Sequence, residues 1–148
     1  MYTLRLKFKT PRNGVIEIKT NQSVFLLTDQ SNSLLELVNG LLNFLIEGEE
    51  VVFPLVQKSD SNLGTWQIKR KEVNDSNFGE FAVWVTKVNS ETLTEIHTNK
   101  IGVVSIFLNA LSTFEKKYGY SKKWRDNWNF SFPHEELNLL RDKVLPFK

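Results

Sequence analysis

Leu4, Leu6 and Phe8 alternate with Arg5, Lys7 and Lys9 at the start of the chain. Alternation of period two marks a half-buried strand, here with a basic solvent face. Ile16 and Ile18 alternate in the same way with Glu17 and Lys19. Between the two runs stands Pro11-Arg12-Asn13-Gly14, where Asn and Gly tolerate positive φ, so together they read as a hairpin. After the polar break Asn21-Gln22-Ser23, the apolar residues 24–27 predict a third strand. Strand patterns recur at 51–56, 66–69, 81–86 and 93–97, separated by polar stretches at 58–64 and 74–79 and by Asn89-Ser90. They suggest an antiparallel meander. Pro54 argues for an edge or a bulge in the first of these. Both faces of 81–86 are apolar, which places that run centrally in the sheet.

Helical spacing appears twice at length. Leu34, Leu35, Val38, Leu41, Leu42, Leu45 and Ile46 form a wide apolar stripe suited to lying on a sheet. Asp29, Ser31 and Ser33 can each cap its start, and Ser33 with Glu36 has capping-box spacing. Gly48 supplies a left-handed stop. The second stripe is Ile101, Val104, Leu108, Leu111 and Phe114, ending in Lys116-Lys117, with Gly119 as its stop. Residues 118–132 read as irregular, basic and aromatic. Pro133 then opens a last helix, with Glu135 and Glu136 in its first turn and Leu137, Leu140 and Val144 as its buried stripe. The chain shows no internal repeat, low-complexity tract or long linker, so residues 1–148 are read as one domain.

Composition narrows the function classes. Of 148 residues, 41% are hydrophobic and 24% charged, the balance of a folded globular chain. A net charge of +2 gives no general pull toward nucleic acid. The total hides a polarised distribution: residues 1–30 and 101–148 each carry three excess positive charges, while 31–65 carry four excess negative ones. The absence of cysteine excludes a disulfide scaffold, a thiolate metal site and a thiol nucleophile. The N-terminus lacks the unbroken apolar run of a signal peptide. The longest apolar runs, 41–46 and 101–108, are broken by Asn43 and Ser105 and are too short to span a bilayer. These features predict a cytoplasmic protein with no membrane association.

Little chemistry is spelled out by motif. His97 and His134 lie in different elements with no second ligand at metal spacing, so neither a metal nor an organic cofactor is expected. The helix dipole disfavours a cation at His134. No nucleophile elbow, phosphate-binding loop or dinucleotide fingerprint is present. Glu47, Glu49 and Glu50 read as a solvated acidic turn.

The conspicuous stretch is 116–128, in which Lys116, Lys117, Lys122, Lys123 and Arg125 are interleaved with Tyr118, Tyr120, Trp124 and Trp128. Such a mixture fits three roles: an aromatic anchor of the core, a protein-binding hot spot, or a platform for single-stranded nucleic acid. No nucleic-acid-binding motif accompanies it, which argues against the last. The candidate partner-binding residues are Tyr120, Lys122, Lys123, Trp124 and Arg125. Trp124 is expected at the surface and Trp128 in the core, beside Phe130 and Phe132-Pro133. Burial of both tryptophans would instead make the segment core lining and move the surface to Glu47, Glu49 and Glu50.

Ser31-Asn32-Ser33-Leu34-Leu35, Glu47-Gly48, Trp66, Trp128, Phe132-Pro133 and Glu136-Leu137 follow one another in an order that resembles small bacterial proteins. Some of these are similar to the immunity proteins of polymorphic toxin systems. The resemblance spans about residues 24–145 and rests on short motifs. It implies a non-enzymatic protein that binds and blocks a toxin, and it assigns no residue a role.

The expectation is therefore an α+β fold: an antiparallel sheet of about five to seven strands, with two main helices and a short C-terminal helix packed chiefly on one face. The expected function is protein binding by occlusion of a toxin-like partner. The alternatives are a small enzyme with dispersed site residues and a nucleic-acid accessory protein.

Overall fold

The Asn13-Gly14 pair turns the chain by the chemistry its sequence suggests. Both residues hold positive φ, 50° and 77°. Arg12 and Val15 close the turn with reciprocal backbone hydrogen bonds of 2.9 Å. A two-residue turn of this hand matches the twist of the strands it joins. In this computed structural model the backbone is described for residues 5–20, 24–46, 50–57, 63–70, 82–88, 91–98 and 100–144, and side chains for 5–20, 24–46 and 101–144.

The turn links β1 (Lys7–Phe8) to β2 (Val15–Lys19), and β3 (Val24–Thr28) pairs antiparallel with β2. Phe8, Ile16, Ile18, Phe25 and Leu27 point into the core, as the period-two alternation requires. Gly14 is confined by more than its φ. A methyl group there would meet the Asp29 carboxylate at 2.3 Å.

Four helices complete the described core: α1 (Ser33–Ile46), α2 (Lys100–Phe114), α3 (Lys122–Asn127) and α4 (His134–Val144). A π-helical turn, Glu115–Gly119, continues α2. α1 buries Leu34, Leu37, Val38, Leu41, Leu42 and Phe44, while Ile46 is exposed. The buried stripe is thus rotated from the expected one: it takes in Leu37 and Phe44 and leaves Ile46 outside. The expected capping box does not form. Ser33 is already helical, and its hydroxyl donates to the Thr28 carbonyl at 2.7 Å. Gly48 lies outside the described residues.

The fold expectation needs correction in its proportions. The chain is α+β, but the described core rests on a three-stranded antiparallel sheet, β1 to β3, with four helices instead of three. Its C-terminal helix, 11 residues long, is not short. Alternation along a sequence marks single strands, but not how many of them share one packed core. The backbone path continues in β4 (Glu50–Gln57), β5 (Leu63–Arg70), β6 (Ala82–Val88) and β7 (Glu91–Thr98), each antiparallel to the one before. β4 is not an edge strand. Its register with β3 covers only Val56 and Gln57, so Pro54 sits where β4 is paired on the β5 side alone. β1 ends the strand order and is an edge.

Candidate functional site

The expected irregular stretch 118–132 is locally ordered. Ser121 caps α3 by accepting from the Trp124 amide at 3.3 Å. The short helix makes the stretch two-faced. Trp124 and Trp128, four residues apart, turn inward, while Lys122, Lys123 and Arg125 are exposed. Trp124 is only 2% exposed and Trp128 4%. This corrects the expectation of an accessible Trp124. Its indole N–H donates to the Phe130 carbonyl at 3.1 Å, and its ring meets Phe132 edge-on at 5.0 Å. Burial of both tryptophans does not turn the whole segment into core lining, because the helix carries its cations on the other side. Glu47 and Glu49 lie outside the described residues, as does the side chain of Glu50.

Preceding α3, the π-helical turn builds a polar cluster that no motif announced. Glu115 is 6% exposed and holds two basic partners. One Oε accepts from the Arg141 guanidinium, and the other accepts from His134 Nδ1 at 2.6 Å. His134 Nε2 donates to the Gly119 carbonyl at 2.9 Å. A carboxylate and a carbonyl are both acceptors, so each ring nitrogen of His134 faces one. Gly119 is not the left-handed stop its position suggests, since Gly14 is the positive-φ glycine among the described residues. It is glycine because a methyl group would lie 2.9 Å from His134 Cε1 and 3.0 Å from Glu115 Cγ.

On this cluster rests Tyr120. Its ring stacks on His134 with centroids 4.1 Å apart and planes within 12°, yet the residue is 72% exposed. Lys116, Lys117, Lys122, Lys123 and Arg125 are exposed on the neighbouring backbone. Four of the five candidate partner-binding residues, Tyr120, Lys122, Lys123 and Arg125, therefore lie at the surface, and the fifth, Trp124, anchors them from beneath.

Beside this face a groove of about 550 Å³ runs between residues 6–10 and the end of α2 with its π-helical turn. Tyr118 lines it and shares a hydrogen bond of 2.6 Å with the Thr10 hydroxyl. That bond, which Thr10 can donate to a phenolate, holds the Tyr118 hydroxyl below its ordinary 10.0; partial burial works in the opposite direction, and Lys117 and Lys123 add to the lowering.

The Glu115, His134 and Arg141 cluster was missed by sequence reasoning. One signal was present: His134 and Arg141 are seven apart on α4 and so share a helix face. Nothing in the sequence placed Glu115 opposite them. Among the described residues, no group of three or more His, Asp or Glu side chains is arranged to hold a metal ion. No described helix is long and apolar enough to cross a membrane. Compared with protein-family models, curated proteins and solved structures, the chain matches none.

Proposed function

We propose that the chain is a protein-binding module that acts by occluding its partner, in the manner of the immunity proteins its sequence resembles. The observation that carries this reading is Tyr120: a large exposed ring stacked on a histidine that is itself held at both nitrogens. A preorganised aromatic loses little freedom on binding and supplies a large contact area, which is how hot spots work. Lys122, Lys123 and Arg125 beside it suit an acidic partner surface.

Two features weigh against the alternatives at this site. Both ring nitrogens of His134 are engaged within the cluster, so neither is presented to a substrate as a general base. Trp124 and Trp128 are buried, so the segment lacks the row of exposed aromatics on which successive bases would stack.

The test is co-expression with the toxin domain encoded beside this chain's gene. Wild-type protein restores growth, and Tyr120→Ala combined with Lys122→Glu abolishes protection while circular dichroism stays unchanged. A neighbourhood that encodes no toxin, or a double variant that protects as well as wild type, contradicts the reading.

A further inference from the structure

Among the described residues, β1 ends the strand order and no strand pairs with its outer side. Phe8 is opposite Ile18 on β2, and Lys9 donates its amide to the Glu17 carbonyl at 2.8 Å. Hydrogen-bonded and non-bonded pairs alternate along an antiparallel ladder. Phe8 therefore belongs to a non-bonded pair, and its own N–H and C=O point away from β2, toward the edge. The 550 Å³ groove lies along this edge and not over one face of the sheet. Its lining shows this: Phe8 comes from the core side of the strand, while Lys7 and Lys9 come from the other.

The groove is also chemically one-sided. Its apolar lining is Leu6 and Ala110, both partly buried, above the buried Phe8–Phe114 contact with ring centroids 5.8 Å apart. Its rim carries Lys7, Lys9 and Lys117, and no carboxylate lines it among the described residues. Lys7 is moreover directly opposite Lys19 across the ladder, and both are exposed. Glu17 stands on the same face across from Lys9, so the excess of positive charge lies at the Lys7–Lys19 end.

We infer that this groove takes an extended acidic segment of a protein partner, added antiparallel as a further strand to the outer edge of β1. This rests on the protein-binding reading above. The backbone of the segment bonds the Phe8 N–H and C=O. The residue opposite Phe8 lies on the same side of the sheet, so it is apolar and covers the partly buried Leu6 and Ala110. Its two neighbours face the other way, toward Lys7 and Lys9, and are acidic. The recognised pattern is acidic, apolar, acidic, a strand pattern whose charge complements the rim.

A fluorescein-labelled peptide that alternates Glu and Val is the probe, titrated into the full chain by anisotropy. Three results are expected. The peptide binds, and a Lys–Val peptide does not. Methylating the valine amides, which face β1, weakens binding about tenfold or more, whereas methylating the glutamate amides leaves it. Lys7→Glu with Lys117→Glu weakens it about tenfold or more without lowering the thermal midpoint. Equal binding of the two methylated peptides overturns strand addition. Failure of every peptide overturns the whole inference and leaves the lysines as guards against edge-to-edge aggregation. No toxin takes part in this assay. A failed growth rescue with successful peptide binding therefore counts against the immunity reading, and the reverse result counts against the groove.

Discussion

Thr10 and Tyr118, 108 residues apart in sequence, join their hydroxyls at 2.6 Å and tie the edge strand to the π-helical turn. The lowered ionisation of Tyr118 follows first from this bond. Thr10→Val is expected to return the Tyr118 titration toward 10.0, read by ultraviolet absorbance in a background where Tyr2 and Tyr120 are phenylalanine. A folded-state value below the unfolded one adds stability above about pH 10 and loses it as pH falls through the folded value. The wild type therefore gains stability over Thr10→Val as pH rises toward 10. An unchanged titration in the variant would show that the bond does not hold the phenolate.

Gly14 combines a φ of 77° with a close approach to Asp29. Gly14→Ala is expected to cost about 1–3 kcal/mol in a urea titration, from left-handed strain and the clash together. Asp29→Ala in the same chain removes the clash but not the strain, so only part of the loss returns. A Gly14→Ala variant as stable as wild type contradicts the turn geometry.

Glu115 is buried between Arg141 and His134, both partly exposed. Glu115→Gln keeps the shape and removes the charge. The expected loss is about 1–3 kcal/mol, less than for a fully buried pair because water reaches both partners. Gly119→Ala forces the His134 ring away and is expected to free Tyr120 from its stack, visible as narrowed and averaged ring signals in proton NMR. Retention of the His134 ring shifts on Tyr120 would contradict that geometry.

The tryptophans separate two kinds of burial. In single-tryptophan variants, Trp124 and Trp128 are both expected to resist iodide quenching. The Trp124 N–H donates to Phe130, whereas the Trp128 N–H is buried with no acceptor among the described residues. Trp124→Phe should therefore cost about 1 kcal/mol more than Trp128→Phe, the worth of one buried hydrogen bond. Equal losses would mean that Trp128 has an acceptor after all.

Local rules made parts of this molecule legible. Asn13-Gly14 specified its own turn because few residues hold positive φ. Ile16 and Ile18 revealed a strand, and Leu137, Leu140 and Val144 a helix face, because burial follows period. What failed was anything set by contacts distant in sequence. Gly119 looked like a helix stop, but the His134 ring is what requires it. Trp124 looked like a surface anchor amid lysines, yet a six-residue helix turns it inward. Of the candidate partner-binding residues, the charged ones and Tyr120 could be read from sequence because charge itself keeps that stretch at the surface. The Glu115 cluster could not, since a π-helical turn has no sequence pattern comparable to the amphipathic period.

The central claim is that the Tyr120 face contacts a protein partner. Amide hydrogen exchange on the full chain, with and without a toxin domain taken from its gene neighbourhood should one be encoded there, tests it most directly. Slowed exchange over residues 116–128, absent in the Tyr120→Ala, Lys122→Glu variant, is the predicted result. Binding that protects other parts of the chain and leaves 116–128 unchanged would contradict it.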